Sequence, residues 1–302
     1  MSAETASGSA ALDRWGQWGE DDQRGAQNFI TNETVLSAAS LVTAGEVVAL
    51  GMPLGPETGV PSHRKRVERL MSRDGGDYAA GAKRPGGFQF AEEVLSFAAH
   101  TGTHVDALAH AWYDDRLYNG FPASSIRSTT GAQRCGAEHL GPIVTRGVLL
   151  DFAIDRTTGG LGMGEAISPA DLEHAYQRGA VEPRRGDVVL LRTGWYETTG
   201  PDPDTYFRGE PGLSVEAARW LAVHEVCAVG ADNYAVEVVP FERKEDVFPV
   251  HQLLLRDFGV PLIENVVVDE LARRRATSFL FVAAPLPLEG GTASPLCPIA
   301  VL

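Results

Sequence analysis

The chain has 302 residues, 44% apolar and 22% charged, with a formal net charge of −14. It is long enough to bury a sizeable core, in one large domain or two small ones. The acidity argues against a nucleic-acid or anionic-membrane partner, because both need basic patches.

Cys135, Cys227 and Cys297 lie far apart with no C-x-x-C pair. They build neither a disulfide framework nor a thiolate zinc site, and they fit a reducing compartment. The start of the chain shows no basic region followed by an apolar run, and no apolar run reaches membrane-spanning length. The expectation is a cytoplasmic protein.

Residues 1–11 are small and polar and read as a disordered tail, leaving 12–302 as one domain. Trp15 and Trp18 then sit in a glycine-rich arm and need cover, either from the chain's own core or from a substrate pocket or subunit interface. Thr31 to Ala44 reads as a helix with Thr31 or Asn32 as its cap and Gly45 as its stop. Glu46 to Met52 reads as a strand. Residues 53–87 are rich in Gly, Pro, Arg and Asp without periodicity, and form an expected long loop of the kind that often acts as a lid. His63 and its neighbouring arginines read first as solvated surface, with substrate contact as the alternative.

Phe88 to Phe97 leads into His100-Thr101-Gly102-Thr103-His104-Val105-Asp106-Ala107-Leu108-Ala109-His110, which holds three of the eight histidines and an aspartate in eleven residues. As a strand it places 100, 102, 104 and 106 on one face. As a helix it pairs His100 with His104 and Asp106 with His110. The preferred reading is extended through Asp106, then a helical turn to His110. Either way three or four ligand-type groups converge. Three neighbouring imidazoles are costly to bury unless something cationic organises them, and imidazole with carboxylate suits Zn, Mn or Fe.

Trp112 to Phe121 is dense in aromatics and suits either a wall for a flat substrate or core packing. Beyond it, Val144–Phe152, Gly186–Trp195 and Glu225–Ala231 read as buried strands. The four glycines of 159–164 lack a complete phosphate-loop pattern and read as a loop. Ser168 caps a helix running to about Arg178, and Ser214 opens another. His251 starts a short helix that Gly259 ends. Val260–Ile263 is a strand delivering Glu264, and a returning strand of this kind can bring Glu264 near His251. Ile299–Leu302 reads as a terminal strand. Alternating strands and helices give an α/β class with a mixed sheet.

The HTGTHVDALAH stretch resembles the signature of the metal-dependent cyclase-like hydrolases, a family that includes arylformamidases, isatin hydrolases, a dienelactone hydrolase and some polyketide cyclases. Leu108 stands where that signature usually has proline, which alters a turn and no ligand. The opening Trp18-Gly19-Glu20-Asp21-Asp22 and Gly25-Ala26-Gln27-Asn28 is similar to one branch of the family. The resemblance runs from Trp15 to about Asn265. It implies a swivelling β/β/α fold, in which a mixed sheet carries flanking helices. It also implies a Zn or Mn cofactor, a small-molecule substrate and a homodimer or homotetramer.

The ligand set expected on this basis is His100, His104 and Asp106 for a first metal, with His251 and Glu264 completing the cage or holding a second ion. Glu264 is then also a catalytic candidate. His110 is the candidate acid/base, or a further ligand in a two-metal version. The expected reaction is hydrolysis of an amide, lactam or lactone by a metal-activated water. Ring closure on a polyketide-type substrate and a purely structural metal are the alternatives. No G-x-S-x-G nucleophile motif competes.

Overall fold

The computed structural model describes residues 13–302, so the expected tail at 1–11 lies outside the described residues. A nine-stranded mixed sheet organises the chain. Its order is Val47–Ala49, Ile299–Val301, Ser278–Ala283, Ile143–Asp151, Val188–Arg192, Ala228–Ala231, Leu262–Glu264, His104–Asp106 and Ala293–Pro295. The four strands from Ile143–Asp151 to Leu262–Glu264 are mutually parallel, and both flanks are antiparallel.

The sheet curls. Its two flanks meet through the short segment between Pro295 and Ile299, and Leu50 N donates to Pro298 O while Leu296 N donates to Thr103 O. No described helix is long and apolar enough to cross a membrane.

The central strands read as unbroken apolar runs because both of their faces are covered. Val189 and Leu191 pack into one core with Leu172, Leu221 and Leu254. Val188 and Leu190 pack into the other with Leu271, Phe279 and Phe281. Each such Leu or Val contributes about 1.5–3 kcal/mol by leaving water.

Helix starts follow their caps. Thr31 and Thr34 form a reciprocal capping box, as do Ser168 and Asp171. The first helix, Asn32–Ala39, ends five residues earlier than expected, where Ser40 Oγ turns back to donate to Ser37 O. The strand Ser278–Ala283, absent from the sequence reading, alternates buried and half-buried residues and pairs with Ile143–Asp151.

Two further expectations change. The 53–87 stretch is not one loop, because Glu68–Arg73 is a strand pairing with Glu92–Ser96, and Gly75–Ala79 is a helical turn between them. The tryptophan arm covers the chain's own core. Trp15 Nε1 donates to Arg256 O at 2.8 Å, and Trp18 meets Phe29 edge-on at 5.0 Å. Gly25 fixes this docking: a Cβ there would lie 2.2 Å from Gly259 O, on a backbone at φ +57°.

Candidate metal centre

The motif reaches its geometry by a different local route from simple strand alternation. Only His104–Asp106 is strand. His100 to Thr103 is an irregular turn with Gly102 at φ +64°, and that turn carries the His100 ring back toward His104, with 5.2 Å between ring centroids. Ala107 to His110 closes as a turn, His110 N donating to Ala107 O. Leu108, in the place of the signature's proline, is buried in the core.

The sheet brings in the second half of the site. In the antiparallel pairing of His104–Asp106 with Leu262–Glu264, Glu264 stands directly opposite His104. Residues opposite one another share a face, so Glu264 Oε2 lies 3.1 Å from His104 Nε2. The helix carrying His251 begins at Pro249, two residues earlier than expected, and widens into a π-turn over Gln252–Asp257. His251 Nε2 is 3.2 Å from Glu264 Oε1 and 3.7 Å from Asp106 Oδ2.

All six residues singled out by the sequence converge on Asp106. His100 Nδ1 is 2.8 Å from Asp106 Oδ1, His104 Nε2 is 3.5 Å from the same oxygen, and His110 Nε2 is 3.8 Å from Oδ2. The grouping differs from the expected one in detail. His100, Asp106 and His110 form one set of mutually close ligand atoms, and His104, Asp106 and Glu264 form another. Asp106 belongs to both.

These groups are buried without the hydrogen bonds that burial demands. His100 Nδ1, His104 Nε2 and both Asp106 oxygens are sealed from solvent, and none has a hydrogen-bond partner among the described residues. The close His100–Asp106 distance lacks donor alignment. Orphaned buried polar atoms are costly, whereas a divalent cation among them satisfies imidazole lone pairs and carboxylate oxygens together. The donor set therefore fits a metal.

The opposite side of each ring is held. His104 Nδ1 lies 2.9 Å from Gly102 O, so it donates there, and Nε2 is the atom turned to the carboxylates, protonated in the absence of a cation and available to one once that proton leaves. His100 Nε2 is 3.1 Å from Thr292 Oγ1. His251 Nδ1 is 2.5 Å from Glu237 Oε1, and the same carboxylate accepts from the backbone N–H groups of Val250 and His251. Glu237 thus caps the helix start and orients its histidine at once. The flanking Val236 and Phe248 both sit at positive φ, +64° and +49°, which is strained for side chains with a Cβ. His110 differs from the other three: its ring makes no hydrogen bond among the described residues, and it lies against His100 with centroids 4.0 Å apart and the planes tilted by 37°.

Electrostatics follow from the crowding of buried carboxylates and imidazoles. Burial alone would lower the pKa of His104, but Glu264 and Asp106 hold it up at about 10. Burial would likewise lower His251, but Glu237 and Glu264 hold it well above its usual range. His110 goes the other way, pushed down to about 4 by burial and by the nearby His100 and His251, against the pull of Asp106. Burial opposes ionisation of Glu264, yet His104 and His251 bring it down to about 2.

His110, His251 and Glu264 open onto a cavity of about 960 Å³. Phe207, Tyr234 and Phe248 supply its aromatic walls, and His63, Arg64 and Arg66 line it on another side. The arginine-bearing segment is therefore at the cavity and is not merely solvated surface. The aromatic stretch after the motif serves differently from a substrate wall: Leu117 and Tyr118 are core, and Trp112 and Tyr113 are exposed. Sequence reasoning missed Glu237 and Thr292. A lone carboxylate in the apolar run Ala235-Val236-Glu237-Val238-Val239 was an available signal for the first, and nothing marked the second.

Comparison with known proteins agrees with this architecture. A family model described as Putative cyclase matches residues 45–238, well over half of the chain, including the whole motif and Glu237. An isatin hydrolase from Roseibium aggregatum is 26% identical over 278 residues, covering 88% of this chain and 95% of that protein. A crystal structure of a novel cyclase superposes with a TM-score of 0.89 at 35% identity, over 96% of this chain and all of that one. An isatin hydrolase bound to the product analogue thioisatinate superposes with a TM-score of 0.64 at 21% identity, over 90% of this chain and 99% of that one, a likeness of fold. By the extent of the family match and of the 35% identical relative, this chain belongs to the Putative cyclase family.

Proposed function

We propose that this chain is a metal-dependent hydrolase that opens an amide, lactam or lactone bond of a small cyclic or aromatic molecule. The observation that carries this reading is the set of four buried, partnerless ligand atoms on His100, His104 and Asp106 beneath a large cavity. The 26% identical isatin hydrolase supports it from the side of sequence.

His100, His104, Asp106 and Glu264 would hold the cation, with His251 as a further ligand or as part of a second site. A divalent cation, Zn or Mn, supplies Lewis-acid polarisation of a carbonyl and a water of lowered pKa. The chain's own residues do the rest. Gly102 O, Thr292 and Glu237 fix the rings of His104, His100 and His251. Phe207, Tyr234 and Phe248 give a ring-shaped substrate faces to lie against. His110 is free of any tautomer-fixing bond and faces the cavity, so it can take a proton and return it to the leaving nitrogen or oxygen.

The cavity argues for hydrolysis over ring closure. It is lined by His63, Arg64, Arg66, Asp204 and Arg208 as well as by aromatics, a wet wall rather than a dry apolar one. It argues against a structural metal too, because His110, His251 and Glu264 face the open space. The test is metal analysis of the purified protein, with turnover of formamides, isatin-like lactams and lactones before and after chelation. Expected are one or two equivalents of Zn or Mn and chelator-sensitive hydrolysis. A protein that takes up no metal on reconstitution refutes the proposal.

A further inference from the structure

Outside the metal centre, the charged residues lining the cavity are Arg64, Arg66, Arg208, Glu57 and Asp204. With histidine counted as neutral they carry a net +1, in a chain whose formal charge is −14. A positive wall in an acidic protein concentrates anions in its cleft. Arg64, Arg66 and Arg208 make no ion pair among the described residues. Arg64 and Arg208 hydrogen-bond only to His100 O and Thr205 Oγ1. Elsewhere Arg146, Arg192 and Arg256 each touch a carboxylate at 2.6–3.0 Å.

Arg64 is the best placed of the three. It is half-buried, and its Nη1 donates to the backbone carbonyl of His100, the first residue of the histidine motif. That bond uses one of the five N–H donors of a guanidinium and leaves the rest of the fork open. The charge also reaches Tyr234 on the aromatic wall. Burial and the carboxylates Glu210, Glu264 and Glu237 raise that phenol, and Arg64 pulls it down. A partly desolvated guanidinium without a counter-charge costs stability, so its placement here points to a ligand that supplies the charge.

We propose that the substrate carries a carboxylate away from the bond that is opened, and that Arg64, with Arg66 beside it, holds that group. The bond itself is that of the hydrolase reading, on which this rests; the carboxylate is the part of the substrate that reading leaves open. A planar carboxylate matches the guanidinium fork in two parallel N–H···O bonds, and one negative charge balances the net +1 of the wall. A neutral ring of the same shape would meet the aromatic faces alone and leave Arg64 uncompensated.

The test is calorimetric titration of the metal-loaded protein with indole, a flat ring with no bond to hydrolyse, and with each of its benzene-ring carboxylate isomers. At least one isomer is expected to bind about 10–100-fold tighter than indole, the range of a hydrogen-bonded charge, and salt should weaken that preference. Arg64→Gln should bring the ratio near one. Arg64→Lys should keep part of it, because the charge stays and the fork does not. Arg66→Gln, at an exposed position where folding is not at issue, should lower it by a smaller factor. Absence of any carboxylate preference in wild type overturns the proposal. So does a preference that survives unchanged in Arg64→Gln and Arg66→Gln, because the carboxylate then sits on the bound cation. Hydrolysis of isatin and its ring carboxylates, followed separately by chromatography, decides the hydrolase reading. Selective binding without turnover would sink that reading and leave the carboxylate subsite standing, and turnover without selectivity would do the reverse.

Discussion

The strand His104–Asp106 of the candidate metal centre and the exposed ribbon of Glu68–Arg73 with Glu92–Ser96 are both short antiparallel pairings, and they are opposites in physical character. His104–Asp106 is sealed from solvent, flanked by a strand on each side, and opposite Glu264 by register. Glu68–Arg73 has one neighbour and no buried residue. At the first, a change of one residue meets packing, register and electrostatics together. At the second, the single chain imposes almost nothing. A buried polar cluster survives only if each member is satisfied, so sequence there is tightly prescribed. An exposed ribbon carries no such prescription.

The largest way to break this contrast is at its centre. Asp106→Asn and His104→Ala are each expected to remove the bound cation and reduce turnover to background, read by elemental analysis and a substrate panel. Full activity in metal-free His104→Ala would end the assignment. His110→Ala separates chemistry from binding. It should keep its metal and lose turnover by about 10²–10⁴-fold, the usual range for a positioned acid or base. Normal turnover in that variant would strip His110 of its role.

One step outward, Glu237→Gln should keep the fold and weaken metal affinity or activity by roughly 10–100-fold, as loss of a ligand-orienting carboxylate does. Competition with a chelator measures it, and an unchanged affinity would reduce Glu237 to a helix cap. The contrast sharpens with pH. Without metal, Glu264 and Asp106 keep His104 protonated up to about 10. Cation uptake below that pH must release the proton, so affinity rises with pH, by roughly tenfold per unit for each proton released. Titration calorimetry in buffers of different ionisation enthalpy counts those protons. The smallest effects lie in the scaffold. Leu190→Ala, fully buried, should cost about 2–5 kcal/mol of stability, and Ser168→Ala about 1 kcal/mol through its lost cap, both by denaturant unfolding.

The contrast also explains what was legible in the sequence. Four of the six candidate residues, His100, His104, Asp106 and His110, could be named from their clustering, because histidine and carboxylate at that density have few other uses, whereas His251 and Glu264 rested mainly on the family resemblance, a histidine at a helix start and a glutamate at a strand end being common. The partition of His100 with His110 and of His104 with Glu264 could not be read, since it depends on Gly102 turning at positive φ and on a register between strands 158 residues apart. Central strands such as Val188–Arg192 were legible as continuous apolar runs. Ser278–Ala283 was not, although it pairs along its whole length with Ile143–Asp151. The ribbon of Glu68–Arg73 and Glu92–Ser96 has no strand signature in the sequence because neither of its faces is buried, and without a buried face there is no alternation to detect.

The strand order has a consequence for the time course of assembly. His104–Asp106 is zipped to Leu262–Glu264 on one side and to Ala293–Pro295 on the other, and Thr292 braces the His100 ring. Every one of those partners is more than 150 residues downstream. A nascent chain that has emerged only as far as residue 260 holds the complete histidine motif with neither neighbour in place. The site is therefore among the last parts of the molecule to close, and its loop-closure entropy falls due late. During synthesis the imidazoles and Asp106 stay open to water and to any available cation until the final strands arrive, so loading of the metal can accompany the closing of the sheet.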